Sequence, residues 1–226
     1  VEKADALAVF GSDETVAELR RDWGSKPGFI GYGHRFSLGY IDDASVAVAE
    51  AAARDVAAWD QCGCLSPQTF FVRGDAASHE FAVLLAAAME RLAIAVPRAR
   101  PTPGVSFMIH SFRAEVRSRG DAVLRQSEGG TDWTVAWSSR SGVEDTPLHR
   151  TVWVKPVDGY ADFLKVTRGH EGWIEAVGVA GNPAPDGGRI VSVGEMQAPP
   201  VWRKHSGLAP LAEMLVELDQ LALTGN

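Results

Sequence analysis

The chain has 226 residues, 46% of them hydrophobic and 23% charged, and its 29 acidic against 22 basic residues leave a net charge of −7. That is the make-up of a globular chain long enough to bury a real core, and its acidity argues against nucleic acid as the main partner, because phosphate-binding surfaces are usually basic. No apolar run approaches the roughly 20 residues needed to span a bilayer, no signal peptide is visible, and two cysteines cannot build a disulfide framework, so a reducing, cytoplasmic setting is expected.

In chain order, residues 5–10 form a near-continuous apolar run of the kind seen in buried parallel strands. Ser12 or Asp13 can cap a helix through Val16, Leu19 and Arg20. Phe29-Ile30 begins a second strand, Gly31-Tyr32-Gly33-His34-Arg35 reads as a glycine-punctuated turn, and residues 36–41 form a third strand. Asp42 and Asp43 are placed to cap a helix over residues 44–59. A strand at residues 70–73 and a helix over residues 76–94, capped by Asp75, follow. Pro97, Pro101 and Pro103 make a rigid connector into an amphipathic helix over residues 105–117. The basic residues from Arg113 to Arg119 read as a solvated helix face.

From Asp121 onward the texture becomes β-rich. The runs around Trp133–Trp137 and Thr151–Val154 alternate, which predicts half-exposed antiparallel strands. A helix at residues 160–166, strands at 174–179 and 189–193, and a tail helix at 208–221 complete the pattern. Strand–helix alternation predicts an α/β fold, a three-layer domain with a largely parallel sheet, and a β-rich C-terminal section that extends into an oligomer contact. The chain begins at Val1, without Met and close to a buried strand, so it is expected to be a piece of a longer protein.

Both cysteines lie in Asp60-Gln61-Cys62-Gly63-Cys64-Leu65-Ser66-Pro67, between a helix and the apolar strand at residues 69–72. A thiol fixed between regular elements is positioned as a nucleophile must be. Cys64, after the glycine and nearer the strand, is favoured. Cys62 is nearer a helix C-terminus, where the macrodipole disfavours a thiolate. Three other readings stand beside this one. The pair could be small buried hydrophobes, zinc ligands with His34 or His79, or a strained disulfide formed only by oxidation. One C-x-C matches structural zinc spacing poorly, so no metal is expected. The thiol loop is expected at the carboxyl ends of the sheet strands, where open α/β folds bind ligands.

The ordered segments resemble the aldehyde dehydrogenase superfamily and, more narrowly, the fatty acyl-CoA reductases of the bacterial luciferase operon (LuxC) type. Val9-Phe10-Gly11-Ser12 resembles the superfamily's Gly-Ser turn near the cofactor phosphates. Gly31 to Ser37 stands where ordinary aldehyde dehydrogenases carry a Glu-Leu-Gly-Gly-Lys segment. The family's cysteine lies seven residues before the Phe of a Phe-Val pair, which gives Cys64. His149-Arg150-Thr151-Val152 and Gly194 to Pro200 resemble the reductase branch.

The resemblance implies an aldehyde-dehydrogenase-like catalytic domain over residues 26–226, preceded at 1–25 by the end of a nucleotide-binding domain. It implies Cys64 as the catalytic residue, Gly11 and Ser12 at the cofactor, and NADPH as that cofactor. The substrate would be a fatty acyl-CoA or acyl-protein, reduced to an aldehyde through an acyl-Cys64 intermediate. An acyl-protein synthetase and a thioesterase are implied partners, and the full-length protein is expected to be a homo-oligomer. Two positions depart from ordinary aldehyde dehydrogenases. Gly31 stands in place of their water-activating glutamate, which suits a thioester kept for reduction, and Val16 stands in place of a glycine on the following helix. His34 is a candidate proton donor or a turn histidine. The alternatives are a CoA-acylating or oxidising aldehyde dehydrogenase using the same thiol, and a non-catalytic remnant of the fold that serves assembly. His79, His110 and His170 show no partner by spacing, and Glu195 reads as a solvated loop carboxylate.

Overall fold

In the computed structural model, residues 4, 6–26, 28–183, 189–200 and 203–205 are described. The tail helix expected at 208–221 and most of the loop at 181–188 lie outside them. Contacts divide the chain into one unit of residues 1–35 with 200–226 and another of residues 36–199.

In the smaller unit, β1 (Leu7–Phe10) and β2 (Phe29–Tyr32) pair in parallel across α1 (Asp13–Trp23). Ser12 caps α1 by accepting the Thr15 N–H at 3.2 Å, Asp13 and Glu14 occupy its first turn and Arg20 and Arg21 its last, in the order the helix dipole favours. Gly31 and Tyr32 belong to β2, so the turn is confined to Gly33–Arg35. The division falls after Arg35 because, among the described residues, β2 pairs with β1 alone.

The larger unit contains β3 (Phe36–Ile41), α2 (Val46–Ala57), a 3₁₀ turn (Ala58–Gln61), β4 (Pro67–Arg73), α3 (Asp75–Ala95) and α4 (Pro103–Ser118). It continues with β5 (Ala122–Gln126), β6 (Thr134–Ser138), β7 (Thr151–Val157), α5 (Tyr160–Val166), β8 (Ile174–Ala180) and β9 (Ile190–Ser192). Seven strands form one sheet in the order β5-β6-β7-β4-β3-β8-β9, and only the β5–β6 pair is antiparallel. On one face α2 and α3 cover a core that includes Ile41, Phe70, Val72, Val135 and Val154. On the other, α5 packs near Leu38, Tyr40 and Phe71, and α4 lays Phe112 and Val116 against Ala136 and Trp153. The expected three layers and largely parallel sheet are what the chain forms.

Four expectations are corrected. The C-terminal strands are not a separate β-rich section, because β5 to β9 join the same sheet. Strands β6 and β7 are buried and pair in parallel with each other. Two of their polar positions find internal partners: Thr134 accepts from Arg113 at 2.9 Å, and buried Lys155 reaches Gly142 O at 2.9 Å and the Glu144 carboxylate. Arg113 is not solvated either. It is 1% exposed and donates to Gly130 O at 2.7 Å and Trp133 O at 2.9 Å. Ser45 rather than Asp42 or Asp43 caps α2, accepting the Val48 N–H at 3.2 Å, because Asp42 is held by Arg73 and Tyr40, each at 3.0 Å. Among the described residues, no helix is long and apolar enough to cross a membrane.

Candidate active site

Helix α2 does not run on to Trp59. It stops at Ala57, and Trp59, Asp60 and Gln61 take left-handed backbone, with φ of 53°, 50° and 65°. Three non-glycine residues in that region are costly, at about 1–2 kcal/mol each, and persist only where the surroundings hold them. A second left-handed run, Leu148, His149 and Arg150 with φ of 59°, 55° and 64°, precedes β7. Because β7 lies beside β4 and parallel to it, the two turns meet at the amino ends of the strands.

Side chains clamp them together. Buried Gln61 donates through Nε2 to Pro67 O at 2.9 Å and Thr151 O at 2.8 Å, and its Oε1 accepts the Thr151 N–H at 2.7 Å. One amide thus closes the loop that holds both cysteines and ties it to β7. Arg150 donates to the Asp60 carboxylate at 2.8 Å and to Val96 O at 2.9 Å. Arg98 reaches His149 O at 2.8 Å and Thr131 Oγ1 at 3.0 Å. From β3, Ser37 donates to Cys64 O at 2.7 Å and accepts the Ala176 N–H at 3.1 Å.

Neither cysteine is in a disulfide. Cys62 is the more exposed, and its Sγ lies 3.5 Å from Asp60 O and 3.5 Å from His149 Nδ1. Desolvation and the Asp60 carboxylate raise the Cys62 thiol above its usual pKa. Burial and the Arg98 guanidinium lower the His149 imidazole. This is therefore a neutral thiol beside a neutral imidazole.

The thiol loop precedes β4, so it lies at the amino ends of β3, β4, β7 and β8 and not at the carboxyl ends as expected. Crossover helices return every one of these strands in the same direction, and the chain places its thiol before the strand rather than after it. A loop from β9 leans on α2 nearby: Gly194 N–H donates to buried Asp55 at 2.5 Å, and Gln197 Nε2 lies 3.4 Å from Ser66 Oγ and 3.4 Å from Asp55 O. Burial pushes the Asp55 carboxyl up to about 6 against the pull of the Gly194 and Met196 N–H groups.

In the smaller unit, Gly11 and Ser12 form the strand-to-helix turn at the carboxyl end of β1. A Cβ on Gly11 would crowd Thr15 at 3.3 Å, so the turn keeps a bare backbone beside a helix N-terminus, as pyrophosphate sites do. Asp13 is drawn away, accepting the His34 N–H at 3.0 Å, which leaves Glu14 as the carboxylate that opposes a phosphate there. His34 is exposed. The two departures from ordinary aldehyde dehydrogenases meet, since a Cβ on Gly31 would run into the Val16 side chain.

His79 stacks on Trp137 at 3.6 Å, His110 and Glu195 are exposed, and His170 lies against Phe36 and Trp173. Among the described residues no group of three or more His, Cys, Asp or Glu is placed to hold a metal ion. Sequence reasoning missed Gln61, Arg98, His149 and Arg150 as a unit. The one available signal was that His149-Arg150-Thr151-Val152 already resembled a reductase segment.

A model of the acyl-CoA reductase (LuxC) family matches residues 1–217. Among solved structures the chain is similar to aldehyde dehydrogenase 21 from Physcomitrella patens in complex with succinate (TM-score 0.69, 12% identity, 96% of this chain and 51% of that one). It is similar also to a salicylaldehyde dehydrogenase from Pseudomonas putida G7 complexed with salicylaldehyde (0.61, 14%, 92% and 46%). A third is the Δ-pyrroline-5-carboxylate dehydrogenase from Mycobacterium tuberculosis bound with NAD (0.58, 13%, 96% and 40%). The chain spans about half the length of these structures or less, and at such identities they show a shared fold. No curated protein matches the chain.

Proposed function

We propose, from the premise that this chain belongs to the acyl-CoA reductase (LuxC) family, that it is the catalytic segment of an oxidoreductase that reduces a fatty acyl thioester to an aldehyde through an acyl-Cys64 intermediate. Cys64 Sγ attacks the thioester carbonyl carbon and the bond to the CoA sulfur breaks. The proton lost by Cys64 leaves with the CoA thiol. A dinucleotide held at Gly11 and Ser12, which we assign as NADPH, would supply hydride to the acyl carbon; the carbon–sulfur bond to Cys64 then breaks, the aldehyde leaves, and the Cys64 thiolate takes up a proton from solvent. Residues 1–25 would then be the end of its binding domain and residues 26–226 the catalytic domain. The full-length protein would work as a homo-oligomer, taking acyl groups from a synthetase and a thioesterase.

The observation that carries the reading is the unequal treatment of the two thiols. Cys62 is held protonated between Asp60 O and His149. Cys64 stands in the loop closed by Gln61, with its carbonyl fixed by Ser37. Gly31 adds support. With Val16 filling the space a side chain would need, no carboxylate stands at that position to activate water against the acyl-enzyme.

The test is intact-mass spectrometry of the full-length protein and of this chain, which alone is not expected to turn over, after brief incubation with a long-chain acyl-CoA, with wild type beside Cys64→Ser and Cys62→Ser. An acyl adduct lost only in Cys64→Ser is expected. An adduct lost in Cys62→Ser instead would reverse the assignment, and no adduct at all would leave a silent, packed thiol.

A further inference from the structure

One cavity beside the thiol turn has no part in the steps above. It measures about 420 Å³ and is lined chiefly by Ala57, Trp59, Leu92 and Val96, with Arg54, Arg150 and Asp60 supplying charge. A second of about 220 Å³ continues it along the seam between α2 and α3, sharing Arg54 and Leu92 and adding Glu50 and Arg91. Together they make one shallow groove. Its inner end is the thiol turn itself, since Trp59 Cδ1 lies 3.9 Å from where a Cβ of Gly63 would stand.

The charges in the groove are unequally committed. Arg150 is paired with Asp60 at 2.8 Å and Arg91 with Glu50 at 2.9 Å. Asp55 is turned inward to Gly194. The Arg54 side chain makes no hydrogen bond or ion pair among the described residues, its charge acts on the neighbouring Asp55 carboxyl, and both cavities expose it. In a chain of net charge −7, this is a local site for an anion on a mostly apolar stem. Trp59 sits at the mouth, 77% exposed and in left-handed backbone. Strain of that kind concentrates at ligand clamps.

We infer that this groove is the subsite for the phosphopantetheine arm of the acyl donor, with the arm's thioester end at the cysteine loop and its phosphate at Arg54. The inference rests on the reductase reading. The acyl chain itself is a poor occupant. The groove is open and alanine-walled, so a long chain there would keep much of its surface in water and forgo that part of its burial energy. Such a chain would also leave Arg54 without a partner. An arm of amides and short apolar stretches that ends in a phosphate matches both features. Guanidinium groups pair well with phosphate oxygens. Acyl-CoA and acyl carrier protein both bear this arm.

The test is single-turnover acylation of Cys64, read by intact mass across a range of donor concentrations. The donors are acyl-CoA, acyl-phosphopantetheine, acyl-pantetheine and an acyl carrier protein, all with the same acyl group. Wild type is expected to need less of the phosphate-bearing donors than of acyl-pantetheine. Arg54→Glu is expected to cut that preference about tenfold through the half-saturating concentration, with the maximal rate less affected. Arg168→Glu, an equal charge change at an exposed residue just after α5, on the sheet face opposite α2 and α3, is expected to leave the preference as it was. A carrier protein that outperforms acyl-CoA with the same Arg54 dependence would support the subsite and name that donor. No preference in wild type, or one that survives Arg54→Glu, overturns the subsite while leaving the reductase reading intact. No acylation by any donor overturns the reductase reading, and the subsite with it.

Discussion

Trp59, Asp60 and Gln61 hold left-handed backbone without a glycine among them, whereas Gly31 and Gly33 are glycines without left-handed backbone, since neither has a positive φ. In the first turn the chain accepts strain, and contacts from residues about 90 positions away keep it there. In the second the backbone is ordinary, and glycine is required because α1 occupies the space of a side chain, Val16 at Gly31 and Asp13 at Gly33. At Gly31 and Gly33, then, glycine marks space taken by α1 and not a left-handed backbone, and at Trp59, Asp60 and Gln61 its absence does not mark relaxation. The thiol turn is stiff through tertiary hydrogen bonds, and the β2 turn through packing.

Four changes would break or sharpen this contrast. The largest effect is expected from Gln61→Ala, which removes the amide partner of Pro67 O and Thr151 O and leaves Thr151 N–H with Leu148 O alone, at 3.1 Å. Unmet buried groups cost about 1–3 kcal/mol each, so the loss of partner at two carbonyls should show in urea unfolding as about 2–6 kcal/mol. A loss well under about 1 kcal/mol would mean that the turn holds itself. Next comes Asp55, which ties the β9 loop to α2. Its carboxyl is raised to about 6 in the fold, so its protonated form is the better tolerated. Its contribution to stability is full below the unfolded value near 4 and is lost as pH rises through about 6. The stability difference between wild type and Asp55→Asn should therefore fall between pH 4 and 6.5, by up to about 3 kcal/mol, and then level off. A difference that grows with pH would show that the two N–H bonds outweigh the burial.

Gly31→Ala ranks third. Overpacking against Val16 should cost about 1–3 kcal/mol, and Val16→Ala in the same chain should restore most of it. Two losses that simply add would show that the residues do not share the space. The smallest change is expected from Trp59→Gly. Its indole is largely exposed, so relief of left-handed strain of about 1–2 kcal/mol is set against the extra chain entropy of glycine, about 0.5–1 kcal/mol. Thermal unfolding should show a net gain of at most about 1.5 kcal/mol. A clear loss would assign the indole a packing role that its exposure denies.

Much of the fold was legible locally. Helix α5 occupies the residues expected of it and β3 likewise, because hydrophobic period and flanking Gly or Asp are properties of the segment itself. Ser12 was legible as a cap for the same reason. The α2 cap was not. Asp42 carries the right chemistry, but Arg73 and Tyr40, distant or on another element, take it first. Cys64 could be singled out from its place between helix and strand, yet the groups that brace its loop could not. Gln61, Arg98, His149 and Arg150 are ordinary polar residues until the parallel pairing of β4 with β7 brings them together.

The sequence by itself determined where helices and strands lie, that the sheet is largely parallel and that one short loop carries both thiols, since periodicity, capping and cysteine position are carried by neighbouring residues. Only the tertiary structure decided that β6 and β7 are parallel and buried, because Thr134 and Lys155 look solvent-facing until their internal partners are in place. It alone decided at which end of the strands the thiol loop sits and that burial and Asp60 raise the Cys62 thiol. Strand direction depends on the crossovers, and the environment of Cys62 depends on an imidazole 87 residues along the chain.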